Sequence, residues 1–166
     1  MQHDHQTTPF EKKEFPVVLV CDGVRGPANI GSLFRVCDAF GVSELVLSDT
    51  EFNPNSARMR KTARDTFKKV RWSLSRDLPL LLKHYREAGY LLLGLEIATN
   101  SEPIERFSWD KQEKLVLVVG NEQNGISGQV LSFMDKTLHI ELFGVNSSIN
   151  VTHATAIALF HLTRGE

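Results

Sequence analysis

LVLVVGNEQNG, residues 115–125, is an uninterrupted apolar run that stops at a glycine and turns abruptly polar and acidic. Leu115–Val119 offers no polar face to water, so it reads as a central strand covered on both sides. Strands of this kind lie in parallel sheets between layers of helices, and those sheets hold ligands in the loops at the carboxyl ends of their strands. The decisive loop is therefore Gly120–Gly125. Its glycines allow close backbone approach, and its centre carries Glu122. It is neither a GxGxxG fingerprint nor a phosphate loop, because it has no lysine and Glu122 would repel phosphate. A positively charged ligand suits its sign better, although an unliganded turn explains it nearly as well.

Working outward, a short helical stretch near Gly128–Met134 is followed by a strand at Leu138–Leu142 and by a last helix that Asn150 caps and that runs through His161. Upstream, Pro16–Asp22 reads as the first strand and Gly23–Ala28 as its loop. Ile30, Leu33, Phe34 and Cys37 then fall at helical spacing, with Asn29 as N-cap and Gly41 as the stop. Strands are expected at Glu44–Ser48, Lys69–Trp72 and Tyr90–Leu95. Asp77 caps a helix bearing Leu78, Leu81, Leu82 and Tyr85, and residues 96–114 read as loop with a short helix. The fold class is α/β, a mainly parallel sheet with helices on both faces. Residues 16–166 are expected to form one domain behind a flexible tail, 1–15, in which His3 and His5 bind no metal.

The chain has 166 residues, 42% of them hydrophobic, and a formal net charge of −1, which suits one substantial core and leaves any polyanion surface to local clustering. Cys21 and Cys37 have neither disulfide nor zinc spacing and read as reduced core residues. The apolar runs are too short for a membrane span and the polar N-terminus has no signal-peptide core, so a cytoplasmic protein without a metal site is expected.

Two more loops carry possible chemistry. In Asn29-x-Gly31-x-x-x-Arg35 the helical turn puts Arg35 about 150° from the apolar stripe, where its guanidinium can reach back toward the preceding loop. On the pattern alone a solvated arginine and a capping asparagine are the simpler readings. The third loop, Gly144–Thr152, holds more hydroxyl and amide groups than one cap requires. Ala154, Ala156 and Ala158 follow it and permit close backbone approach, with tight core packing the default explanation.

The ordered set NIGSLFRVCDAFGV (29–42), LVLVVGNEQNGIS (115–127) and HIELFGVNSSINVTHATAIALFHL (139–162) resembles the three motifs of the SpoU-type RNA 2′-O-methyltransferases of the SPOUT superfamily. Ile149 stands where that family usually has leucine, and Thr152 where it often has serine. The resemblance implies a C-terminal trefoil knot, a homodimer and S-adenosylmethionine as cofactor. It assigns the cofactor to backbone groups at Gly120, Ile140 and Ile149 with their neighbours Asn121, Glu122, Leu142, Ser148 and Asn150. It also implies catalytic or RNA-positioning roles for Arg35, Asn29, Glu122, Ser148 and Asn150. The family is described as using this arginine, activated by an RNA phosphate, to take the hydroxyl proton. A guanidinium normally keeps its own proton, so phosphate docking and alkoxide stabilisation are equal alternatives.

RNA contact needs positive surface, and Arg58, Arg60, Lys61, Arg64, Lys68, Lys69 and Arg71 form the strongest local basic cluster, against Asp65 alone. A solvated helix face is the alternative. Ribosomal members of the family often carry an added N-terminal RNA-binding domain, and only about fifteen residues precede the first strand here, so tRNA is favoured over rRNA by analogy. Two other classes compete. One is a non-catalytic RNA-binding module on the same fold, against which the joint presence of Arg35, Glu122 and Asn150 counts. The other is a nucleotide-dependent oxidoreductase, against which the missing GxGxxG counts.

Overall fold

The computed structural model describes residues 10–146 and 148–164; the tail reading of His3 and His5 lies outside them. Thirteen elements follow one another as β1 (Phe15–Asp22), α1 (Pro27–Phe40), β2 (Val42–Ser48), α2 (Ala57–Ala63), α3 (Thr66–Lys69), β3 (Trp72–Ser75), α4 (Leu78–Glu87), β4 (Leu91–Leu95), β5 (Glu102–Pro103), β6 (Leu115–Gly120), α5 (Gly128–Leu131), β7 (Lys136–His139) and α6 (Val151–Arg164), with a single 3₁₀ turn at Ile104–Arg106 after β5. Among the described residues the sheet has seven strands in the order β3-β2-β1-β6-β4-β7-β5. Every pairing in it is parallel.

β6 lies between β1 and β4, with Val17 beside Leu115 and Leu91 beside the same residue on the other edge. All six of its residues are buried, as a strand covered on both faces requires. The pleat divides the strands between two cores. Val17, Leu19 and Cys21 join Leu115, Leu117 and Val119 against Ile30, Leu33, Phe34 and Cys37 of α1 and Leu159 and Leu162 of α6. Val18, Val20, Val116 and Val118 face Leu78 and Leu82 of α4 and Val130 of α5. Helices thus cover both faces.

Several boundaries differ from the sequence reading, each for a local reason. Pro27 pre-sets the backbone of the first helical turn and the Gly26 carbonyl accepts from Ile30 N at 2.9 Å, so α1 starts ahead of Asn29 and the N-cap is Gly26. Lys69 ends α3, and the third strand is Trp72–Ser75, fixed by pairing with Leu45–Ser48. The seventh strand is Lys136–His139, and Ile140 and Leu142 have left the sheet. The first strand begins one residue earlier than expected, at Phe15. Gly41 does end α1, in the left-handed conformation at φ 63°.

α2 approaches α1 closely at Gly31, where a β-carbon would stand 2.5 Å from the Met59 carbonyl oxygen. Met59 and Ala63 are the buried residues of α2. Beneath α2 and α3, Phe34, Phe52, Phe67 and Trp72 form a cluster in which Phe52 and Trp72 meet edge to face at 5.0 Å. No described helix is long and apolar enough to cross a membrane.

Candidate functional site

β4, β6 and β7 end side by side, and the chain that leaves each of them bounds one cleft of about 540 Å³. Its position agrees with the general rule for parallel sheets, and its volume lies within the roughly 300–1,000 Å³ typical of small-molecule sites. Leu95, Val119, Ile140, Leu142 and Ile149 give it apolar wall, and Glu96 and Glu122 bring two carboxylates to it.

The loop after β6 is closed on itself. Asn121 N donates to Gly125 O at 3.2 Å and Gly125 N returns to Asn121 O at 3.0 Å. Asn121 Oδ1 accepts from the backbone N–H groups of Gln123 and Asn124, at 2.9 and 2.7 Å. Gly125 sits at φ 66°, and a β-carbon there would run into the Glu96 carboxylate. That carboxylate accepts from Ile126 N at 3.0 Å through Oε2 and from Ile97 N at 2.9 Å through Oε1. Ser127 N donates to Asp22 Oδ2 at 2.9 Å, which ties the far end of the loop to β1. The loop is therefore held by its own hydrogen bonds and by contacts to Glu96 and Asp22.

At the edge of the cleft three loops meet through side chains. Asn29 Nδ2 donates to Glu122 Oε1 at 2.5 Å, and Asn150 Nδ2 donates to Asn29 Oδ1 at 3.1 Å. Asn150 Oδ1 in turn accepts from Thr152 N at 2.8 Å and Thr152 Oγ1 at 2.6 Å, which caps α6 and fixes the amide's orientation. Asn29, released from capping, is the link between the first motif and the other two. The Cys21 thiol beneath this loop is pushed far up, mainly by burial and then by the charges of Glu122 and Asp22; burial does the same to Cys37. Both are packing residues.

Gly120, Asn121, Glu122, Ile140, Leu142, Ser148, Ile149 and Asn150 all line the cleft. Arg35 does not. It is exposed on α1, and its side chain has no hydrogen bond or ion pair to another described residue. Arg58, Arg60, Lys61, Arg64, Lys68 and Lys69 are exposed along α2 and α3. Arg60 has a structural role as well: its Nε donates to Pro54 O at 2.7 Å and its guanidinium lies 5.7 Å from the centre of the Phe67 ring. Glu96 escaped the sequence reading because it opens a polar stretch that looks like plain loop. An acid directly after a buried strand of a parallel sheet was the available signal.

A parallel α/β domain with a partly apolar cleft at its carboxyl edge, acidic on one side and bordered by an amide–carboxylate chain, has the place and size of a small-molecule site. Residues 16–160 match the SpoU rRNA Methylase family, and the chain belongs to it. It is 31% identical over 148 residues to the 23S rRNA (guanosine(2553)-2′-O)-methyltransferase of Bacillus subtilis (strain 168), covering 87% of this chain and 57% of that relative. The crystal structure of the A. aeolicus TrmH/SpoU tRNA modifying enzyme superposes with a TM-score of 0.83 at 25% identity, over 93% of this chain and 77% of that one. The AdoMet-bound rRNA methyltransferase from Sinorhizobium meliloti gives 0.81 at 25% identity, over 90% and 56%. This chain thus spans a little over half the length of the Bacillus and Sinorhizobium proteins.

Proposed function

We propose that this chain transfers a methyl group from S-adenosylmethionine to a ribose 2′-hydroxyl of RNA, with tRNA as the first substrate to test and rRNA as the second. Residues 16–166 act as one catalytic domain, and the C-terminal knot and homodimer implied by the family likeness belong to the same reading. Its strongest support is convergence: the eight residues assigned to the cofactor border one cleft, and Asn29, Glu122 and Asn150, from three separate motifs, are bonded together beside it.

The cleft fits the cofactor in size, in its mixture of apolar wall and backbone groups, and in the sign of Glu96 and Glu122. When bound, the cofactor supplies a methyl group on a positively charged sulfur. The protein's part is positioning, since a ribose hydroxyl is a very weak acid and gains most from being held in line. Ser148 and Asn150 shape the cofactor side of the site, and the Asn29–Glu122 pair borders the place for the hydroxyl. Arg35 docks an RNA phosphate and stabilises negative charge developing on the oxygen as its proton passes to water.

A second copy of the chain covers Ile157 and Phe160, two apolar residues exposed one turn apart on α6. Sedimentation of Ile157→Glu/Phe160→Glu should then give monomers, and an unchanged mass would reject this surface as the interface. The reaction is tested by transfer of tritium from labelled cofactor to bulk tRNA and rRNA, followed by mass spectrometry of the nucleosides. RNA binding without any 2′-O-methylated nucleoside would leave a binding module instead.

A further inference from the structure

A second, smaller cavity of about 200 Å³ lies between the first turn of α1 and the segment that leads into α2. Ile30 and Met59 contribute apolar wall, and Arg25, Glu51, Phe52 and Asn53 also line it. It is smaller than the roughly 300–1,000 Å³ of ordinary ligand pockets, which suits a single heterocycle.

The walls are held in place. Thr50 Oγ1 donates to Val24 O at 2.7 Å, Ser56 N donates to Asn53 O at 3.0 Å, and Asn53 Oδ1 accepts from Asn55 N at 2.9 Å. Phe52 is packed against Phe34 and Trp72. Arg25 is held less tightly, 68% exposed and paired with Asp49 only at 3.7 Å. Glu51 is exposed and bonds no other described side chain.

The location suggests the occupant. Asn29 and Ile30 are adjacent in sequence and about 100° apart around α1, so the pocket and the Asn29–Glu122 pair flank the same helical turn. On the other side the pocket adjoins Ser56, which caps α2 by accepting from Met59 N at 3.3 Å, and α2 carries Arg58, Arg60 and Lys61. The pocket thus lies between the cations of α2 and the Asn29 side of α1.

We infer that the pocket receives an unstacked RNA base flanking the methylated nucleotide, and that Glu51 selects guanine there. Sequence-specific RNA recognition works largely on splayed single-stranded bases, held by aromatic or guanidinium planes and read along their Watson–Crick edges. Guanine alone presents two adjacent N–H donors on that edge, which match the two oxygens of one carboxylate. Asn53 also lines the pocket, and its amide N–H₂ would donate to the neighbouring guanine oxygen. The cations of α2 and Arg25 offset the repulsion between Glu51 and the phosphates. This inference rests on the reading of the chain as an RNA-directed enzyme.

The test is photo-crosslinking of the full chain to short single-stranded RNAs carrying one thioguanosine or one thiouridine, with the labelled peptide found by mass spectrometry. Thioguanosine should label the segment 51–56 well above thiouridine. Glu51→Gln, at an exposed position, should cut that excess about 10-fold, the scale of one lost bidentate base contact. An amide offers one donor and one acceptor, so adenine-containing RNA should become the better competitor against this variant. Labelling elsewhere, equal labelling by both probes, or an unchanged preference in Glu51→Gln would overturn the pocket. Tritium transfer by the wild type, measured in parallel, separates the two ideas: labelling of 51–56 without methyl transfer would sink the enzymatic reading and the flanking-nucleotide assignment with it, leaving the pocket as a guanine site of an RNA-binding module.

Discussion

Asn150 donates to Asn29 at 3.1 Å across 121 positions of the chain, and the same Asn29 side chain donates onward to Glu122. Asn29→Ala removes the middle of this chain while leaving both neighbours open to water, so the stability cost should stay near 1 kcal/mol or below. Catalysis should suffer more, by about 10²-fold, the scale of a lost preorganised group. Asn29→Asp should be worse for the rate, since it sets two carboxylates against each other. Single-turnover methylation, with melting temperature alongside, checks this; wild-type rates in both variants would reduce the three-residue chain to scaffolding.

Arg35 is exposed on α1 and separate from the apolar stripe of Ile30, Leu33, Phe34 and Cys37. Arg35→Ala should therefore fold and bind S-adenosylhomocysteine nearly as the wild type does. Methylation at saturating RNA should fall about 10²–10³-fold. Arg35→Lys should recover only part of the loss, because an ammonium cannot reproduce a planar two-point contact. A variant that fails only by unfolding would show the catalytic assignment to be wrong.

Lys61 and Arg64 lie along the exposed face of the α2 segment, away from the residues that line the main cleft. Lys61→Ala/Arg64→Ala should keep its affinity for S-adenosylhomocysteine by calorimetry. Its RNA affinity should drop, and the logarithmic salt dependence should become shallower by about 0.7 for each lost contact to single-stranded RNA. An unaltered slope would mean that these cations only solvate the helix.

The buried thiols make stability fall in alkali. Cys21 and Cys37 are held neutral in the fold well above their ordinary value of 9.0, whereas in the unfolded chain they ionise near it. Below that pH both states carry the thiol protons and these groups add no pH dependence. Above it the unfolded chain binds fewer protons, so each thiol should remove up to about 1.4 kcal/mol per pH unit. Urea unfolding between neutral and alkaline pH, compared with Cys21→Ala/Cys37→Ala, isolates this slope; equal slopes would contradict it.

Sheet class and cleft loops were legible because the signals there are strong and local. Leu115–Val119 has no polar face, and a strand without one has few places to go. Asn29 was legible as a residue of interest but not in its role, since Pro27 and Gly26 could start the helix without it and only the fold brings Glu122 and Asn150 within reach. The edge strands were displaced because pairing decides them: Trp72–Ser75 follows its neighbour Leu45–Ser48, whatever the pattern at Lys69 suggests. Glu96 was illegible for a related reason. Its two backbone partners, Ile97 and Ile126, are an adjacent residue and one that is 30 positions away.

The position of β6 between β1 and β4 also sets the order in which the molecule can assemble. A growing chain makes β1 and β4 before the strand that belongs between them, so each meanwhile presents an unpaired inner edge. Such edges recruit other chains. Refolding should accordingly include a slow insertion of residues 115–120 between β1 and β4, followed by that of β7 between β4 and β5, with a yield that falls with protein concentration, and nascent chains that stop short of Leu115 should be held by chaperones rather than released.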